Sequence, residues 1–98
     1  MKRSYELTFI VRLEGADDSA VNTSVDQVRG WVETEDKGQV ARIDRWGRKK
    51  LAYEIDGQRE GYYVLFAAQL EPSALYDLER SLNLAPNILR YLFVRNED

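Results

Sequence analysis

From Gln39 to Tyr53 the chain reads as one continuous extended run, and that length constrains the fold more than any other feature. Its 15 residues, at about 3.3 Å each, would reach about 50 Å, far beyond the usual strand. The run therefore has to bend. Val40 and Ile43 are three positions apart rather than two, so their faces disagree in a flat strand, and Gly47 lies mid-run. Both point to bulges or a sharp twist. The second half is then expected to project beyond the sheet as a two-stranded ribbon. Asp56-Gly57-Gln58-Arg59-Glu60-Gly61 supplies its turn, and Tyr62 to Leu70 returns as the next strand.

The remaining elements follow from periodicity. Tyr5 to Leu13 alternates as a strand, with Tyr5, Leu7, Phe9 and Val11 on one face and Glu6, Thr8, Ile10 and Arg12 on the other; Gly15 closes it. The mostly polar second face implies a sheet left bare of helices on one side. Asp17-Asp18-Ser19 offers N-cap candidates for a helix over about 17–36, with Val21, Val25, Val28 and Val32 as its inward stripe. The helix has poor intrinsic propensity, and Gly30 alone costs about 1 kcal/mol relative to alanine, so valine packing must hold it. Lys37-Gly38 is expected to stop it, with the glycine taking the left-handed conformation. Glu71-Pro72-Ser73 opens a second helix with Leu75, Leu78 and Leu82 facing inward, ending near Asn83. Pro86-Asn87 marks a turn, Ile88 to Arg95 a last strand, and Asn96-Glu97-Asp98 a polar tail.

Strand, helix, strand, strand, helix, strand is the order of two split βαβ units in tandem. The expected class is α+β, a ferredoxin-like βαββαβ domain over residues 1–98, with a four-stranded antiparallel sheet and both helices on one face. That fold hosts many functions and decides none of them.

Charge and composition narrow the function. Between residues 42 and 59 stand Arg42, Arg45, Arg48, Lys49, Lys50 and Arg59 against Asp44, Glu54 and Asp56, a local balance of +3 in a chain whose net charge is −3. The positive field is thus confined to one region, where a polyanion would approach. Cysteine and histidine are both absent, which removes thiolate chemistry, most zinc sites and the usual general base at neutral pH. No acid stands in a recognisable catalytic constellation and no glycine-rich phosphate loop is present. The expectation is a protein with no catalytic residues, metal, cofactor or small-molecule substrate. No apolar run approaches the roughly 20 residues of a membrane helix, so no membrane partner and a cytoplasmic location are expected.

The run from Arg45 to Tyr63, with Trp46-Gly47, Arg48-Lys49-Lys50, Leu51-Ala52-Tyr53, Ile55 and then Gly61 and Tyr63, resembles the bacterial small-subunit ribosomal protein S-six family. Tyr5-Glu6, Glu71-Pro72 and Asn87-Ile88-Leu89-Arg90-Tyr91-Leu92 extend the resemblance from about residue 4 to 95. It implies a structural ribosomal protein that binds the central domain of small-subunit ribosomal RNA beside the basic ribosomal protein S-eighteen. Arg48, Lys49 and Lys50 match the family's basic segment and Arg90 an arginine of its last strand. Glu54 departs from the pattern, standing where some members have proline.

With that resemblance, Arg48, Lys49, Lys50 and Arg90 are expected to contact RNA; without it, the three cations would be read first as a charged cover for an exposed sheet edge. Alternation places Arg48 and Lys50 on one face and Lys49 on the other. Lys2 and Arg3 are either a tail or a further phosphate contact. Asp44, Trp46, Leu65 and Leu92 are candidates for contact with the protein partner, since Ile10, Tyr63, Leu65 and Leu92 would share the helix-free face as an apolar patch. For Trp46, packing over the bend at Gly47 is expected ahead of partner docking, and Tyr53 and Tyr62 are expected to be structural. The alternative is an RNA-recognition-type module reading single-stranded bases on its sheet. Glu60-Gly61-Tyr62-Tyr63 fits its signature poorly, because it starts with an acid and shifts the aromatics.

Overall fold

The computed structural model describes residues 1–13 and 18–96. Strand β1 (Arg3–Arg12) is followed by helix α1 (Asp18–Val32), strands β2 (Gly38–Ile55) and β3 (Gln58–Leu70), helix α2 (Leu75–Leu84) and strand β4 (Ile88–Arg95). Short 3-10 turns at Thr34–Asp36 and Pro72–Ala74 lead into β2 and α2. The sheet order is β2-β3-β1-β4 with every pairing antiparallel, so the expected ferredoxin-like fold is the one observed. Gly15, Asp17, Glu97 and Asp98, to which the sequence assigns a strand stop, a cap and a tail, lie outside the described residues.

The main core lies between the helices and one sheet face. Val21, Val25, Val28 and Val32 are each at most 2% exposed and meet Leu7, Phe9, Val64 and Phe66, with Leu78 and Leu82 closing the layer from α2. Burying a valine side chain contributes roughly 1.5–3 kcal/mol, several times the few tenths that each weak helix former costs. Packing therefore wins over propensity in α1. Phe9 and Phe66 meet edge to face at 5.0 Å. Ser24, beside the valines on α1, is buried too, and Asn87 ahead of β4 donates to its hydroxyl at 2.8 Å.

Three local expectations are corrected. The helix stops at Val32 rather than near 36, and the left-handed residues after it are Glu35 and Asp36, with φ of 55° and 57°. Gly38 is no helix cap. It opens β2 at a close approach, where a β-carbon would lie 2.2 Å from the Val32 carbonyl oxygen and 2.5 Å from a Leu70 methyl. The ribbon turn is only Asp56-Gly57, with φ of 49° and 79°, the left-handed pair that a two-residue hairpin favours. Gln58 to Gly61 are already strand.

The long run bends where its pattern breaks. Pairing of β2 with β3 slips between Val40 and Arg42, between Arg45 and Gly47, and again between Lys50 and Ile55. Gly47 has a φ of 86°, which lets the backbone turn there without a side-chain clash. The ribbon does not simply project outward, however. Leu51 and Ile55 fold back over the helix-free face onto Ile10 and Leu89, forming a second, smaller core with Tyr63 against it. At the tip, Asp56 pairs with Arg12, whose Nε donates to the Pro86 carbonyl at 2.9 Å. Hairpin tip, end of β1 and start of β4 are thereby joined.

Candidate nucleic-acid interface

The cations of the ribbon stand on the outer edge strand. Arg48 lies opposite Tyr62, Lys49 opposite Gly61 and Lys50 opposite Glu60, so alternation separates them as expected. Arg48 and Lys50 share an open groove with Leu13, Gln58, Arg59 and Glu60, whereas Lys49 turns to the helix-free side with its ammonium 5.6 Å from the Trp46 ring centre. All three are exposed, and among the described residues none lies in an ion pair. Arg42 and Arg45, counted in the same cluster, are otherwise engaged. Arg42 pairs with Asp44 at 3.1 Å, and Arg45 reaches Asn22 of α1.

Trp46 stacks on Tyr63 with ring centres 6.4 Å apart and planes 13° from parallel. One face of Tyr63 is therefore already taken, which removes the free aromatic platform that an RNA-recognition-type sheet would need there. Trp46 itself remains 49% exposed. Tyr62 packs against the main core as expected, but Tyr53 joins neither core; it is 65% exposed, because the slip after Lys50 takes it out of the ladder.

The helix-free face divides in two. Toward the hairpin it is covered by the second core. Away from it, Asp44, Leu65, Thr8 and Leu92 form one row across the four strands, and Arg42, Ala67, Glu6 and Val94 the next. Leu92 is 61% exposed and Val94 is exposed beside it, while Leu65 is only 9% exposed and contributes little area. Asp44 is already paired with Arg42. Arg90 lies opposite Ile10 at the border between the two halves, with Nη1 donating to the Leu89 carbonyl at 3.3 Å.

Lys2 and Arg3 lie at the far end of the sheet from the ribbon, in a groove shared with Ser4, Gln69, Arg95 and Asn96. Arg95 is the cation that sequence inspection misses. Its place follows from the pairing of Tyr5 with Arg95, a register that no local pattern announces.

The model of the family described as ribosomal protein S6 matches residues 4–95. The chain belongs to the ribosomal protein S6 family. A small ribosomal subunit protein bS6 from Moorella thermoacetica is 40% identical over 98 residues, covering 98% of this chain and 96% of the relative. One from Alkaliphilus metalliredigens is 38% identical, covering 96% of this chain and 97% of the relative. The crystal structure of the 30S ribosomal protein S6 from Thermotoga maritima superimposes with a TM-score of 0.89 at 28% identity, over 98% of this chain and 89% of that one. The C-terminal domain of MgtC from Mycobacterium tuberculosis, at a TM-score of 0.54 and 17% identity, shares the fold alone. The S6 family is structural and non-enzymatic, and its place is the small subunit of the bacterial ribosome in the cytoplasm.

Proposed function

We propose that this S6-family chain binds the central domain of small-subunit ribosomal RNA jointly with the basic ribosomal protein S-eighteen. The observation that carries this is the exposed trio Arg48, Lys49 and Lys50, free of ion pairs among the described residues, on the edge strand of an otherwise acidic molecule. Neutralising phosphates there releases counterions, and the gain is local because the remaining surface is negative. Arg90 extends the positive surface toward β4, and Lys2, Arg3 and Arg95 offer a separate contact at the other end of the sheet. The open half of the helix-free face suits the protein partner. Exposed Leu92, Val94 and Trp46 supply apolar area, and Glu6 supplies negative charge toward a cationic protein.

The test is RNA binding measured across a salt series, with and without the basic partner. Replacing Arg48, Lys49 and Lys50 together by alanine should flatten the slope of log K against log salt by roughly 0.7–0.9 for each phosphate no longer neutralised. An unaltered slope would refute phosphate contact by the ribbon.

A further inference from the structure

The ladder between β2 and β3 is in step from Gly47 opposite Tyr63 to Lys50 opposite Glu60 and resumes only at Ile55 opposite Gln58. Residues 51–54 of one strand therefore stand against Arg59 alone on the other. Such a bulge re-aims side chains. Here it turns Leu51 inward to the second core, as Ile55 turns just after it, and leaves Ala52, Tyr53 and Glu54 facing water. The crown is held at both ends by buried side chains, and just beyond by the pair between Arg12 and Asp56. Tyr53 is thus an aromatic ring displayed on a braced support, with no stacking partner among the described residues.

We propose that Tyr53 is a stacking platform for an unpaired base of the RNA whose phosphates the ribbon cations hold; this rests on the function proposed above. Lys50 and Tyr53 are three residues apart, no more than about 10 Å of backbone, so a strand drawn to Lys50 passes the ring. Glu54 beside it disfavours phosphate at that point and leaves a flat, uncharged surface, which any base can use. The same cations that attract RNA repel a basic protein, so the S-eighteen partner is the poorer occupant of this site. Tyr63 and Trp46 are stacked on each other, and Tyr53 is a ring of the ribbon with no stacking partner among the described residues.

The experiment measures binding of a central-domain ribosomal RNA transcript by wild type, Tyr53→Phe and Tyr53→Leu, each with the basic partner protein and across a salt series. Binding of that partner without RNA is measured alongside. Tyr53→Phe keeps the ring and should bind within about twofold of wild type. Tyr53→Leu keeps apolar bulk but loses the ring, and should bind about ten- to a hundredfold more weakly, the range for one stacked base. The salt slope should stay the same, because stacking releases no counterions. Thermal unfolding should also be unchanged, since the side chain is out in water. Wild-type affinity for RNA in Tyr53→Leu, or a loss confined to partner binding, would overturn the assignment while leaving phosphate contact by the ribbon intact. Failure of wild type to bind the transcript in a salt-dependent way would instead remove the proposed function, and this assignment with it.

Discussion

Ile10 lies directly over Gly61, so closely that a β-carbon on the glycine would sit 2.2 Å from the Ile10 Cγ2 methyl. Leu51 closes over the same spot, 3.6 Å from that position. The missing side chain makes room for the second core, and the second core sets where the ribbon goes. Gly61→Ala should therefore destabilise the protein by about 1–3 kcal/mol, the usual cost of overpacking. Ile10→Ala in the same chain removes the offending methyl, so the two effects should be less than additive in urea unfolding.

Two other glycines have open space around them yet should respond in opposite directions. Gly30 is helical, and nothing lies within 4 Å of where an alanine methyl would stand. Gly30→Ala should stabilise by about 1 kcal/mol, raising the melting temperature by about 4–8 °C in a domain of this size. Gly47, with its φ of 86°, should lose about 1–2 kcal/mol on the same change, because alanine resists the left-handed region. Calorimetry of both variants checks the sign.

The contact between Arg12 and Asp56 holds the hairpin tip, but it is a surface pair, since the Asp56 side chain is 70% exposed. Such pairs contribute at most about 1 kcal/mol. Asp56→Asn keeps a residue that tolerates left-handed backbone and removes only the charge. Global stability should move by less than about 1 kcal/mol, while amide hydrogen exchange along Leu51–Gln58 should quicken by local opening. Unchanged exchange in the ribbon would show that Leu51 and Ile55 suffice to hold it.

Leu92 tests the open half of the helix-free face. At 61% exposure it contributes little to folding, so Leu92→Ser should leave the melting temperature nearly unchanged. Burial of that side chain by a partner contributes roughly 1–2 kcal/mol over the area concerned, so affinity for the basic partner should fall by about five- to thirtyfold in titration calorimetry. RNA binding by the ribbon alone should persist.

What the sequence discloses and what it hides divide along the range of the interactions. Valine spacing in α1, leucine spacing in α2 and alternation in β1 are local periodicities, and each corresponds to an element whose inward residues are buried. The bend in β2 is legible for the same reason, as Val40, Ile43 and Gly47 break step within a few residues. Folding of the ribbon onto Ile10 and Leu89 is not, because it joins residues more than 30 positions apart through a gap at Gly61 that resembles an ordinary turn glycine. The exposure of Tyr53 is hidden on the same account. Aromatics in a regular strand generally pack against a neighbour, but the crown of a bulge lifts the ring out of the ladder that would supply one. The cations Arg48, Lys49 and Lys50 can be located from sequence, whereas the joining of Arg95 to Lys2 and Arg3 requires the register of β1 with β4.

Because β1 is flanked by β3 on one side and β4 on the other, the first of these four strands to be made ends up inside the sheet. Leu7 and Phe9 emerge from the synthesising machinery long before either neighbour exists. At 5–20 residues per second the last strand follows roughly 4–16 s later. Vectorial growth therefore cannot complete this sheet outward from its leading strand, and the second edge of β1 stays unpaired until β4 has been made.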